Sequence, residues 1–307
     1  MNSILFSLLP ILIIASLGYI FRVKQIFALD FWPQAERLTY FVLLPCLFFE
    51  LTYKADLSDK NLLYAPLLLT IVILILSLFM FLFRNVISKS EPSFTSLFQG
   101  TIRFNGYMLI PSSFVMFGKE GATIIAIVIS VIVPIVNLLC VYTLARYGTH
   151  KSVDFVSVIK RVLKNPFIIS CLLGTFFNYY NISLAGFMND TIEVISKAAL
   201  PMGLLCVGAG LDFTQLKSIQ RELVISTLLK LVIYPIMVIA IGYVLDLDRL
   251  ILQICLLFAI MPSATASYLM ARQMGGDAPL MANIIMAQTA LSVVTMPLGL
   301  LLFDYFF

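Results

Sequence analysis

Residues 9–21 read LPILIIASLGYIF and residues 165–177 read NPFIISCLLGTFF, so Pro10, Gly18 and Phe21 recur as Pro166, Gly174 and Phe177 at an offset of 156. The register persists along the chain. Leu44-Pro45 falls on Leu200-Pro201 and Asp56 on Asp212; after one inserted residue, Phe117-Gly118-Lys119-Glu120 falls on Met274-Gly275-Gly276-Asp277. Apolar windows of about 20 residues, the length that crosses a bilayer, give ten candidate spans: 3–21, 34–53, 62–83, 95–116, 121–145, 165–183, 191–211, 222–244, 250–271 and 280–303. Each half holds five. An odd number per repeat sets the second copy upside down relative to the first, the inverted-repeat plan of secondary transporters with a substrate site near the midplane. The expected organisation is a first five-helix repeat over 1–145, a basic cytoplasmic linker over 146–164 and a second five-helix repeat over 165–307.

Composition points the same way. With 61% hydrophobic and 12% charged residues, too little polar surface is left to cover a soluble domain, and the chain reads as an all-α integral membrane protein. The five cysteines all lie in apolar runs, which argues against a disulfide framework or a zinc site, and the single His150 lies in a basic loop. No metal, cofactor or nucleic acid is expected, and no catalytic constellation marks an enzyme. The N-terminal apolar stretch belongs to the repeat and lacks a basic n-region, so it reads as a retained span rather than a signal peptide. Thirteen Lys and Arg fall in odd-numbered connections and five in even-numbered ones. That bias places the odd loops in the cytoplasm and both termini outside. In the linker, Val153, Val156, Ile159 and Leu163 recur opposite Lys160, Arg161 and Lys164, the pattern of an interfacial helix or of a solvated basic connection.

Two spans carry a break signal, and they are repeat partners. Arg103-Phe104-Asn105-Gly106 precedes Pro111 in the fourth, and Met261-Pro262-Ser263 stands at the equivalent place in the ninth, with Asn105 opposite Pro262 at an offset of 157. Gly is too free for a helix and Pro lacks an N–H, while irregular backbone at membrane depth must be buried in protein or face water. Crossed, unwound helices are expected, with half-helices after Asn105 and Pro262 presenting free N–H groups to an anion. Arg103, roughly 15 Å of helix into its span, offers a fork that suits a carboxylate; its alternative role is to bind backbone carbonyls at the break. Lys230 lies nearer a membrane face and could snorkel. Ser263, Thr265, Asn137 and Gln288 are the remaining polar candidates, with Tyr107 and Tyr268 as aromatic ones. No Asp or Glu falls centrally in a span, which argues against carboxylate-based coupling to sodium or protons.

FWPQAERLTYFVLLPCLFFELTYKADL (31–57), IRFNGYMLIPSSFVMFGKEGA (102–122) and MPSATASYLMARQMGGDAPLMANIIMAQTALSVVTMPLGLLL (261–302) resemble the auxin efflux carrier family, which includes plant auxin carriers and bacterial malate or malonate permeases. The resemblance covers essentially the whole chain. It implies a ten-span fold like that of bile acid/sodium symporters, in which the fourth and ninth spans cross as broken helices. The first, second, sixth and seventh spans would form a scaffold past which the others move in an elevator step. By position, Asn105 and Gly106 match the first crossover and Pro262 the second. The chain lacks the long central loop of the plant carriers and is more similar to the short bacterial members; Tyr107 and Met108 make its first crossover bulkier.

The expected function is secondary transport of small organic anions, mono- or dicarboxylates, across an inner membrane by elevator-type alternating access, with the membrane potential favouring export. The site would comprise Arg103, Asn105, Gly106, Tyr107, Asn137, Pro262, Ser263, Thr265 and Gln288. A sodium- or proton-coupled symporter of an organic substrate is the alternative, and a non-transporting membrane sensor the alternative of another class. The expected partners are the organic anion and the lipid bilayer; a homodimer fits the architecture, with no interface written in the sequence.

Overall fold

The computed structural model describes residues 2–55, 63–149, 164–210 and 220–306, and among them all regular structure is helical. Asp56, Asp212, His150 and most of the 146–164 linker lie outside the described residues. In chain order the helices are α1 (Asn2–Val23), α2 (Phe31–Leu38), α3 (Leu44–Tyr53), α4 (Tyr64–Leu82), α5 (Arg84–Ile87), α6 (Glu91–Ile102) and α7 (Gly106–Tyr147). Then follow α8 (Pro166–Tyr179), α9 (Gly186–Ala209), α10 (Arg221–Leu228), α11 (Tyr234–Val244), α12 (Arg249–Ile260), α13 (Ala266–Met274) and α14 (Ala278–Phe306). Among the described residues, five helical stretches are long and apolar enough to cross a membrane: Tyr64–Leu82, Glu91–Tyr147, Gly186–Ala209, Arg221–Val244 and Ala278–Phe306. Pro166–Tyr179 and Arg249–Ile260 are shorter apolar helices.

Prolines and glycines set the interruptions. Pro45 and Pro235 have no N–H to return to the preceding turn, and each is preceded by a wider π-turn, Thr39–Leu43 joining α2 to α3 and Leu229–Ile233 joining α10 to α11. In α7, Pro111 breaks nothing. Ser112 Oγ donates to the Met108 carbonyl at 2.7 Å and Ser113 Oγ to that of Ile110 at 2.8 Å, so the hydroxyls beside the proline bind nearby carbonyls. The predicted fourth and fifth spans are separated instead by Gly118, whose φ of 65° interrupts α7. Its repeat equivalent Gly275, at φ 74°, ends α13. Glycine takes positive φ at the least cost, having no Cβ.

The chain forms two compact units, each drawn from both halves. The first comprises 1–63, 106–131 and 162–211. Within it α1 packs on α9 and α8 on α3, and the contacts repeat at the offset of 156. A methyl group at Gly18 would fall on the Leu205 carbonyl, and one at Gly174 on Thr52 and the Phe49 carbonyl. Lipid supplies no hydrophobic force between helices, so such close approach is what joins them.

The second unit comprises 64–105, 132–161 and 212–307. Its core includes Phe94, Leu97, Phe98, Phe258 and Ile284, all fully buried. The QMGGDA motif serves as a corner here. Asp277 caps α14 through the Leu280 N–H at 3.0 Å and accepts from Ser93 Oγ at 2.8 Å, while its carbonyl accepts from Ser96 Oγ at 2.8 Å. The α13–α14 turn is thereby pinned to the first two turns of α6.

Candidate functional site

The site is built in the second unit where two helices stop short. Helix α6 starts on a capping Ser90 hydroxyl and runs 12 residues before Arg103 turns extended, at φ −78° and ψ 158°. Helix α12 starts on a capping Asp248 carboxylate and also runs 12 residues, to an extended Met261. The two stretches that follow meet: the Asn105 N–H donates to the Pro262 carbonyl at 2.8 Å, and the Phe104 and Phe258 rings lie 4.4 Å apart. Residues equivalent in the sequence repeat are thus hydrogen-bonded to each other. Helix resumes at Ala266 rather than directly after Pro262. The peptide between Pro262 and Ser263 is bonded sideways, its carbonyl to the Asn105 N–H and its N–H to the Gln288 amide oxygen.

Gln288 is the clamp of this crossing. Its Oε1 accepts from the Ser263 N–H at 2.9 Å, and its Nε2 donates to the Gly100 carbonyl at 3.0 Å and, at 3.4 Å, to Ser226 Oγ. One amide therefore ties α14 to both breaks and to α10. Ser226 was not signalled by the sequence, since a lone hydroxyl in an apolar span is routine; here it is fully buried and also donates to the Leu97 carbonyl at 3.2 Å. Ser263 is likewise buried, with its hydroxyl 3.4 Å from that of Ser267. Thr265 sits half-buried at the N-cap of α13.

Arg103 is half-buried at the first break. Its Nη1 lies 3.4 Å from Met270 Sδ, and its guanidinium reaches the Cys140 thiol. No carboxylate among the described residues forms an ion pair with it. Asn137 stands one turn before Cys140 on α7, half-exposed, and is thus on the helix that Arg103 touches. Gly106 and Tyr107 open α7 immediately after Asn105 and belong to the first unit, where Tyr107 lies beside Gly203.

Several described carboxylates sit far along the chain from the breaks and are engaged elsewhere. Glu50 accepts from Lys54 and from Ser196 Oγ, Glu193 binds Lys54 and Lys197, and Glu222 accepts from Ser88 Oγ and the Lys89 N–H. Lys230 does not snorkel: the π-turn Leu229–Ile233 holds it inside the second unit with no exposed surface.

The sequence profile of a family described as membrane transport protein matches residues 3–300. An uncharacterized transporter of Methanothermobacter thermautotrophicus is 26% identical over 295 residues, 95% of this chain and 96% of that protein. A Rhizobium meliloti protein named "Putative malonate transporter" is 26% identical over 276 residues, 83% of this chain and 82% of that one. An uncharacterized transporter of Escherichia coli is 24% identical over 279 residues, 86% of each chain. A match running almost from end to end, on a helical chain with membrane-length apolar helices, leaves one assignment: the protein belongs to the membrane transport protein family, that of the auxin efflux carriers.

Proposed function

We propose that the protein is a secondary transporter of small organic anions, mono- or dicarboxylates, which bind at the crossing of the two broken stretches. The observation that carries this reading is Arg103: a guanidinium at a helix break, in contact with sulfur atoms and without a carboxylate partner among the described residues. A buried or half-buried charge is retained where it meets an opposite charge or water. A planar two-oxygen anion suits its fork. Asn105 and the N-terminus of α13, with Ser263 and Thr265 leading into it, supply further donors in this reading, Asn137 lies beside the Arg103 contact, and Gln288 holds the frame. Gly106 and Tyr107 continue the first break. The name of the Rhizobium meliloti relative supports a dicarboxylate as substrate.

The architecture that goes with this reading is a ten-span inverted repeat in an inner membrane, with both termini outside. The equivalent breaks, the positive-φ glycines 157 residues apart and the matched α1–α9 and α3–α8 contacts support it. The interleaving of the two halves into two units supports an elevator step, with the second unit carrying the anion. An anion crossing alone is driven outward by the membrane potential at roughly 2.3 kcal/mol per charge per 100 mV.

The test is charge movement in proteoliposomes on adding a panel of carboxylates without sodium. Wild type is expected to give current with malonate or a close analogue, and Arg103→Gln and Asn105→Ala to lose at least nine-tenths of it. Silence with every anion, together with sodium-dependent uptake of an organic substrate, would overturn the reading in favour of a symporter.

A further inference from the structure

Lys230 is a fully buried lysine whose Nζ has no hydrogen-bond or ion-pair partner among the described residues. Its neighbours are ring faces: Nζ lies 4.6 Å from the centroid of the Tyr234 ring and 5.8 Å from that of Phe258. An ammonium carries three donors, and burying it without an acceptor is costly where the neutral amine is not. Two aromatic faces offset part of that cost by attracting a cation. The surroundings thus tolerate both forms of the amine and commit to neither.

Further polar groups nearby in the fold are left open in the same way. The Gln99 amide is buried and unpartnered at both its oxygen and its nitrogen, on α6, which packs against the π-turn that holds Lys230; the Tyr234 hydroxyl is buried and unpartnered too. One turn before Lys230, Ser226 joins Gln288, the amide that holds the Ser263 N–H and the Gly100 carbonyl. Lys230 thus follows by four residues on the same helical stretch the serine that joins the frame of the candidate anion site.

Other titratable and charged groups stand on the surrounding elements, among them Arg221 at the start of α10, bound to the Val86 carbonyl. On α10, Glu222 lies two turns back and is bound to Ser88 and Lys89; α11 offers the Tyr234 phenol and, at its far end, Tyr243. Helix α12 offers the buried Cys255 thiol, which reaches the Ala65 carbonyl, and begins at Arg249, which is paired with Asp304 of α14. Helix α6 begins with Glu91 and is followed by Arg103, and α4 begins with Tyr64.

We infer that Lys230 is a proton-binding site that couples proton movement to passage of the anion. The Nζ lone pair takes up one proton, converting Lys–NH2 to Lys–NH3+, as a dicarboxylate occupies the crossing, and gives it back when the anion leaves. The attraction between the anion and the new ammonium favours the two binding together. A dianion then crosses with one proton and one net negative charge. This rests on the carboxylate reading above and adds the coupling ion to it.

The experiment is malonate-driven flux in proteoliposomes, with internal pH followed by a trapped dye and the voltage clamped by potassium and valinomycin. Wild type is expected to move about one proton and about one net negative charge per malonate. In Lys230→Met and Lys230→Arg the protons moved per malonate fall at least tenfold, and the charge per malonate rises to about two, a change that a merely structural residue would not produce. Malonate movement by wild type without any change in internal pH overturns the inference while leaving the anion reading standing, and it needs no variant to fold. Retention of the wild-type proton ratio in Lys230→Met overturns it as well. No carboxylate movement at all by wild type overturns both.

Discussion

At the scale of single residues, Gln288 and Asn137 make a controlled contrast. Both are amides in apolar helices, yet Gln288 has both ends engaged by Ser263, Gly100 and Ser226, whereas Asn137 makes no hydrogen bond among the described residues. Gln288→Leu leaves the Ser263 N–H and the Gly100 carbonyl unpartnered in the interior, at about 1–3 kcal/mol each, so its thermal midpoint in detergent should fall by several degrees. Asn137→Leu should leave the midpoint unchanged within about 0.5 kcal/mol of stability and show its effect, if Asn137 touches the anion, in transport alone. Equal midpoints for the two variants would overturn the clamp. The breaks at Asn105 and Pro262 were legible because Gly, Pro and Asn announce backbone irregularity by their own chemistry. The clamp was not, because its partners are backbone groups of Ser263 and Gly100, which carry no signature in sequence. Lys230 misled for a related reason: position along a span suggests a nearby membrane face, but its side chain sits within the π-turn Leu229–Ile233 and packs on the Tyr234 and Phe258 rings.

At the scale of elements, the joins between helices rest on missing side chains. Gly18 meets the Leu205 carbonyl and Gly174 the Phe49 carbonyl, so Gly18→Val and Gly174→Val should each force a helix pair apart at about 1–3 kcal/mol or more. Size-exclusion profiles of the fluorescently tagged variants should show matching losses of monodisperse protein; a wild-type profile for either would mean that the helices can slide to make room. The recurring prolines and glycines mark the repeat in the sequence, but which helices they join is set by the packing. The π-turns at Thr39–Leu43 and Leu229–Ile233 were hidden, since an extra residue per turn leaves no mark in an apolar run beyond the proline that follows it. The late start of α13 at Ala266 was equally hidden, and so were the contacts that the Pro262–Ser263 peptide makes with Asn105 and Gln288, both remote in sequence.

At the scale of the whole molecule, orientation is testable at two exposed turns. Gln25 and Asp246 both hold positive φ at helix ends, and they lie in the first and eighth connections of the ten-span reading. In a cysteine-free background, an impermeant maleimide should label Asp246→Cys in intact cells and Gln25→Cys only after permeabilisation; the reverse order would turn the protein over in the membrane. Charge bias could suggest this orientation, but not how the halves combine. The repeat is written along the chain, while the compact units at 1–63, 106–131 and 162–211, and at 64–105, 132–161 and 212–307, arise only from packing across it. That interleaving bears on heredity as much as on stability. A chain severed in the 146–164 linker strands α1 without α9 and α8 without α3, so neither fragment can finish even one unit. The fragments made together should complement each other, while either alone should be cleared by proteolysis. On the proposed inverted repeat, an ancestor of half the length would have needed two copies, inserted into the bilayer opposite ways up.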